Sequence, residues 1–347
     1  MPMPDFLVSP LILHRSPSVP RTAFCRCLFL WLFSLPCFLS AQDIHFSQFD
    51  VNPVLFNPAY TGFFEGTARV GAAYRNQWSS VSKPFQTFAL TGELSLWRGR
   101  YRRSGLSAGC MLFRDKAGSL DYGTTAASLM LSYYFSLDDR CPHFLSLGAS
   151  LGYNQAGFSV ENILLDDPAE DFSRQLSRYP TVALGAAWYF APVDELQLRA
   201  GVSASNLNRP DISYLQLDKA YLERRWDFYS RVEYRCWHSV SLSPIVVVQC
   251  QGRNSEVLYG ADVKWYVDES SDRYITLSAG TLFRHGDALA FTLGAEINAL
   301  LFAFSYDANV SKLVPASNTL GAFELGVVYR FARQQRAKHR SLPCPIM

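Results

Sequence analysis

Ala322-Phe323-Glu324-Leu325-Gly326-Val327-Val328-Tyr329-Arg330-Phe331 alternates without a break, with Phe323, Leu325, Val327, Tyr329 and Phe331 on one side and Ala322, Glu324, Gly326, Val328 and Arg330 on the other. A period of two places successive side chains on opposite faces of a β-strand. One face here is wholly apolar and the other holds small and charged residues, so the strand needs hydrocarbon on one side only. A soluble sandwich would turn the apolar row to its core. The aromatic Phe331 that closes the patterned part of the chain is instead the usual ending of the last strand of an outer-membrane barrel.

The same two-sided pattern recurs upstream. Trp226, Phe228, Val232, Tyr234 and Cys236 oppose Arg225, Asp227, Arg231, Glu233 and Arg235. Val257, Tyr259, Ala261, Val263, Trp265 and Val267 oppose Asp262, Lys264 and Asp268, and Leu196, Leu198, Ala200 and Val202 oppose Gln197, Arg199 and Ser203. Rows of mixed charge do not suit a soluble core. Strand cores are expected near Gly66, Pro84, Ser104, Asp121, His143, Pro180, Glu195, Glu223, Ser239, Glu256, Tyr274, Asp287, Leu300 and Leu320. The fold class expected is all-β: a transmembrane antiparallel β-barrel of about 14 strands, an even number as in single-chain outer-membrane barrels. It covers residues 66–331 and follows a short N-terminal periplasmic segment.

An even count puts both termini on one side, the periplasm in such barrels, where turns are short. The outward connections then include 158–179, 206–222 and 309–319, the longest between strands, whereas 192–194, 237–239 and Asn298-Ala299 face inward and are short. The strand count and the loop lengths therefore agree.

The chain has 347 residues, 49% hydrophobic and 18% charged, with a formal charge of +2. The charged share lies below the roughly 25% usual for soluble domains. Near neutrality leaves no concentrated basic face for phosphate backbones, which excludes nucleic acid as the main partner. Arg15, Arg21 and Arg26 precede the apolar run 27–39, and polar Gln42-Asp43 follows Ser40-Ala41, the layout of a secretory signal peptide over 1–41. The long lead before Arg15 suggests an upstream start codon. The run is interrupted by Ser34 and Pro36 and is short of the roughly 20 residues of a spanning helix. No later run is long enough either, so a membrane-spanning mature chain has to be a barrel. Of the 8 cysteines, Cys110, Cys141, Cys236, Cys250 and Cys344 lie beyond the signal region, an odd and scattered set that makes no disulfide framework.

Residues 42–65 carry Asn52-Pro53 and Asn57-Pro58, turn-favouring pairs whose prolines block regular structure. An ordered segment at the barrel mouth, or a small plug, is expected. Residues 332–347 form a basic tail with Arg333, Arg336, Lys338, His339 and Arg340. It is expected in the periplasm, as a solvated tail or a contact for an acidic partner.

Enzymatic chemistry finds little support. Gly148-Ala149-Ser150-Leu151-Gly152 matches G-x-S-x-G, but it lies inside a strand pattern with no helix after it, where a nucleophile elbow has no sharp turn. The 6 histidines show no paired metal spacing and there is no C-x-x-C. Asp307, Asn309 and Ser311 begin a calcium-loop pattern that fails at Lys312, where the Gly is required, and at Asn318, where the bidentate Glu is required. The acidic group Asp166, Asp167, Glu170 and Asp171 reads as a solvated loop. No catalytic residue, metal or cofactor is expected.

Two stretches carry a family likeness. Gln42-Asp43, Phe46-Ser47-Gln48, Asn52-Pro53, Phe56-Asn57-Pro58-Ala59-Tyr60-Thr61-Gly62 and Tyr74-Arg75-Asn76-Gln77-Trp78 resemble the amino-terminal pattern of the PorP/SprF outer-membrane proteins of Bacteroidetes. Phe304-Ser305-Tyr306-Asp307-Ala308-Asn309-Val310-Ser311 and Ala316-Ser317-Asn318 to Gly321-Ala322-Phe323-Glu324-Leu325 are similar to the same family's closing hairpin. The likeness runs from about Gln42 to Phe331, and the long lead and basic tail depart from it. It implies a component of the type IX secretion system, which exports sorting-domain proteins and serves adhesins in gliding species. Its implied partners are the periplasmic ring of that machine or the secreted cargo, and its implied place is the outer membrane.

Among the matched residues, Asn57, Pro58, Ala59 and Gly62 are expected to fix a tight non-helical path on the periplasmic side, where a ring component would read it. Tyr74 and Trp78 fall on one face near the outer end of the first strand and Arg75 and Gln77 on the other, which suits either a partner contact or a girdle and lumen filling. Asp307 and Asn309, next to Tyr306, are read as turn formers of the last hairpin. The competing function is a porin or small-solute transporter, suggested by the ionic row Arg225, Asp227, Arg231, Glu233 and Arg235. Its mixed signs point to charges paired across a packed lumen more than to a selective ring.

Overall fold

The computed structural model describes residues 46–64, 66–77, 84–99, 103–117, 122–138, 142–157, 176–213, 219–270, 273–311, 314 and 319–331. The signal region, Trp78, the acidic group 166–171, Ala316-Ser317-Asn318 and the basic tail lie outside them. Fourteen strands follow in order: β1 (Ala68–Gln77), β2 (Phe85–Arg98), β3 (Ser104–Ala117), β4 (Tyr122–Ser136), β5 (His143–Gly157), β6 (Leu176–Val193), β7 (Leu196–Ser205), β8 (Arg225–Trp237), β9 (Val240–Gln251), β10 (Asn254–Glu269), β11 (Tyr274–Arg284), β12 (Ala288–Ile297), β13 (Leu300–Asn309) and β14 (Leu320–Phe331). Each pairs with its neighbours in sequence, and β1 pairs antiparallel with β14 from Ala68↔Phe331 to Gln77↔Ala322, closing the barrel. Closure leaves no sheet edge, the condition for a sheet to stand in hydrocarbon.

Because Ala68 lies opposite Phe331, the barrel's two ends share one rim, called here the termini rim. It carries the connections 99–103, 137–142, 194–195, 238–239, 270–273 and 298–299. Asn298, at φ 55°, adopts the left-handed conformation that a two-residue hairpin turn requires. The far rim carries 78–84, 118–121, 158–175, 206–224, 252–253, 285–287 and 310–319, including the longest connections.

The burial pattern inverts that of a soluble protein. Leu129 and Leu151 on the outer wall are 70% and 68% exposed, whereas Glu93 and Glu324 on the inner wall are 2% exposed. On β14 the outer row is Leu325, Val327, Tyr329 and Phe331, and Ala322, Glu324, Gly326 and Val328 turn inward. Trp97, Tyr133, Trp237, Trp265, Tyr329 and Phe331 stand exposed near the termini rim, a girdle at one membrane interface.

Two details differ from the sequence reading. β6 begins at Leu176, not at Pro180, and runs beyond the end of β7, which pairs only as far back as Leu184. Proline's missing N–H is tolerated on that unpaired edge, and Asn208 Nδ2 donates to the Pro180 carbonyl. In β10 a register shift between Tyr266 and Asp268 pairs Asp268 with outward-facing Ile275 and takes it off the inner row of Asp262 and Lys264.

Candidate functional site

The barrel is not empty. Residues 46–64 run inside it, touching the inner wall from the far-rim half down to the termini rim, where the chain enters β1. Pro53 and Pro58 do not keep this path free of regular structure. Each opens a single 3-10 turn, Pro53–Leu55 and Pro58–Tyr60, because proline's fixed φ and absent N–H suit a first helical position. Asn57 holds the second turn in place. Its Oδ1 accepts from the Ala59 N–H at 2.8 Å, and its Nδ2 donates to the carbonyls of Ala186 on β6 and Val202 on β7 at 3.0 and 3.1 Å.

Wall hydroxyls meet the plug's carbonyls in turn around the ring. Ser203 donates to Phe56, Ser146 to Ala59 and Ser132 to Thr61, at 2.5, 2.7 and 2.5 Å. These bonds satisfy carbonyls of plug residues that are buried in the lumen. Phe49 stacks on Tyr229 of β8 at 3.8 Å, and Tyr60 packs edge-on to both rings. Inner-row glycines leave the space. A Cβ on Gly148 would run into the backbone of Pro58 and Ala59, and one on Gly326 into Val51. The G-x-S-x-G match is thus part of a strand wall, with Gly148 making room for the plug.

Charged side chains hold the plug at both ends and in the middle. At its lower end Gly62 N–H donates to Glu93 Oε2 at 2.9 Å, and Arg69 pairs with the other oxygen at 2.6 Å. In the middle Asp50 pairs with Arg231, which also pairs with Asp262 at 2.7 Å. At the upper end Ser47 N–H and Gln48 N–H donate to Glu324 at 2.8 and 3.2 Å. Arg75 pairs with Glu324 and, at 2.9 Å, with Asp307. Arg284 pairs with Asp307 at 3.1 Å and with Glu256 at 3.1 Å, and donates to Ser47 Oγ at 2.8 Å. Buried charges are tolerated only when paired and hydrogen-bonded, and every carboxylate named here has a cation beside it.

The residues singled out from sequence fall into this arrangement as follows. Asn57, Pro58, Ala59 and Gly62 are buried inside the lumen and offer no surface to a partner in this structure. Arg75 and Gln77 face inward, 3.3 Å apart, and Tyr74 faces out against Phe323. Asp307 is no turn former: it is 2% exposed and sits between two arginines. Asn309 does form the turn, its Oδ1 accepting from Ser311 N–H at 3.0 Å. Tyr306 stands on the outer row with Phe302 and Phe304.

The inward row of β8 is paired throughout. Arg225 meets Asp227 at 3.0 Å, Glu233 meets Lys264 at 2.7 Å, and Arg235 meets Glu269 at 2.7 Å. Sequence reasoning did not single out Ser47, Asp50, Arg69, Glu93, Arg284 or Glu324 as site residues. Their partners lie up to 277 positions away, beyond any local pattern, and the reading of residues 42–65 as a segment at the mouth or a small plug was the one pointer to them.

The model of the family described as "Type IX secretion system membrane protein PorP/SprF" matches residues 38–329. The chain belongs to this family. Family and fold together make it an outer-membrane β-barrel of the type IX secretion machinery. No curated protein matches this PorP/SprF chain. Among solved structures it is similar to the Ralstonia pickettii toluene transporter TbuX, at 11% identity and TM-score 0.45 over 81% of this chain and 94% of that one. It is similar also to a Pseudomonas aeruginosa FadL homologue, at 13% identity and TM-score 0.48 over 79% and 93%. A third is the P. putida toluene transporter TodX, at 9% identity and TM-score 0.47 over 82% and 95%.

Proposed function

We propose that this barrel serves type IX secretion as a closed docking subunit, which engages the periplasmic ring or receives sorting-domain cargo, and not as a conduit for solutes. The observation that carries the reading is the filled lumen: residues 46–64 cross it, and the ionic row that suggested a pore is spent on internal pairs. A barrel that conducts needs a continuous wet path.

The termini rim, with its shorter connections, faces the periplasm in this reading, and the ring would meet its turns, such as Asp194-Glu195 and 270–273. The far rim, with 206–224 and 310–319, faces outward and is available to cargo. The experiment joins planar-bilayer recording with affinity purification from the native envelope. Silence at all voltages together with co-purifying ring or cargo proteins is the expected result. Steady channels from the wild-type barrel, with no co-purifying secretion protein, would overturn it.

A further inference from the structure

Nearly all charged strand residues of this barrel face inward. Among the described strand residues three cations instead face outward, and they share one arc of the far rim. Arg114 and Lys116 occupy outward positions on β3, where the alternate residue Asp115 turns inward to accept from Thr87 Oγ1 at 2.7 Å. Arg178 occupies an outward position on β6, between buried Ser177 and Tyr179.

The strand register sets them in one row. Arg114 lies opposite Thr125 of β4, Thr125 opposite Gln155 of β5, and Gln155 opposite Arg178 of β6. Both arginines are exposed. Arg178 donates through Nε to Gln155 Oε1 at 3.1 Å. No carboxylate pairs with Arg114, Lys116 or Arg178 among the described residues.

The rows beneath are greasy. The next row toward the termini rim is Leu112, Ala127, Tyr153 and Pro180, and the one after it is Cys110, Leu129, Leu151 and Val182. The last row of the band is Ser104, Phe135, Leu145 and Trp188. At about 3.4 Å per residue and a tilt near 40°, the ten-residue step from Arg114 to Ser104 spans about 26 Å of membrane normal. That matches an apolar band of about 25 Å. Arg114 therefore stands at the level where acyl chains give way to headgroups, with Lys116 one outward position further toward the far rim. Three strand steps of about 4.8 Å place the Cα atoms of the two arginines about 14 Å apart along a row inclined with the strands, so about 9 Å of that lies along the membrane normal, and their long side chains converge across it on one headgroup.

We infer that this row is a binding site for the phosphate of a lipid A headgroup in the outer leaflet, held by Arg114, Lys116 and Arg178 with polar support from Thr125 and Gln155. Guanidinium groups bind phosphate in a forked, charge-assisted geometry. The choice of lipid A rests on the outward orientation of the far rim proposed above, and not on the docking role.

The test is native mass spectrometry of the folded wild-type barrel and of an R114Q/K116Q/R178Q variant. Each is presented with lipid A, enzymatically dephosphorylated lipid A and phosphatidylglycerol in detergent, with heat-modifiable gel mobility confirming the fold of both. The expected result is retention of lipid A by the wild type, with loss of the bound peak on dephosphorylation and in the variant. Equal retention by the variant or of the dephosphorylated lipid overturns the site. Preference for phosphatidylglycerol overturns the assignment to lipid A. Maleimide labelling in intact cells of a cysteine placed in 206–224 tests the orientation separately, and a periplasmic result there removes the choice of lipid A without touching the row itself.

Discussion

Replacing Glu324 by alanine isolates the hold on the plug's upper end. That one carboxylate accepts from the Ser47 and Gln48 N–H groups and pairs with Arg75, at a side-chain exposure of 2%. Removing one partner of a buried ion pair costs about 3–5 kcal/mol, because the other charge is left uncompensated. Asp307, 2.9 Å from Arg75, offsets part of that, so a loss near 3 kcal/mol is expected. At about 1.4 kcal/mol per tenfold, the ratio of seated to released plug falls by about two powers of ten.

Two measurements read this. Planar bilayers should show brief openings that the wild type lacks, and the urea midpoint should fall without a change of slope, since the surface exposed on unfolding stays the same. E324Q, which keeps an acceptor but loses the charge, should lie between. If E324A stays silent and unfolds at the wild-type midpoint, Glu324 does not secure the plug and the account of the lumen fails.

Further outcomes follow from the same geometry. G148A should cost about 1–3 kcal/mol and loosen the plug, because the added methyl meets the backbone of Pro58 and Ala59 and not a side chain that can swing away; denaturant titration checks it. N57A strands the Ala59 N–H in the lumen, and about 1–3 kcal/mol of lost stability is expected in the same assay. In the 206–224 connection, hydrogen bonds from Ser213 hold the Asp211 carboxyl below its ordinary 3.8. A depressed folded-state value means that the turn's contribution is fully present above 3.8 and fades as pH falls through the lowered value. The protection factor of the Ser213 amide, its exchange rate taken relative to the intrinsic rate at each pH, should therefore be constant near neutrality and fall in acid, and D211N should remove that dependence.

The wall was legible because alternation is a local signal. β14, β8 and β10 each announce their two faces within a dozen residues, and the strand starts read from them fall within a few residues of those observed, with β6 the largest miss. That miss has a cause: Pro180 looks like a boundary until the free edge beside it is known. The contents of the lumen were far less legible. Glu93 and Arg69 are 24 positions apart, and Ser47 and Glu324 are 277 apart, so no spacing rule joins them. Asn57 read as a turn former, which it is, but its donors reach β6 and β7, and only the closed barrel brings those within range. Asp307 was misread for the same reason, since its arginines come from β1 and β11.

The plug's upper end is gripped by Asp307 and Glu324, on the last two strands in sequence, whereas its lower end leads directly into the first. The latch on the plug's upper end is complete only when the last hairpin has closed on the first strand. The seam between β1 and β14 and the upper latch therefore form together, because Glu324 on the trailing strand lies opposite Arg75 on the leading one. A chain that lacks its final hairpin loses the seam and the latch at once.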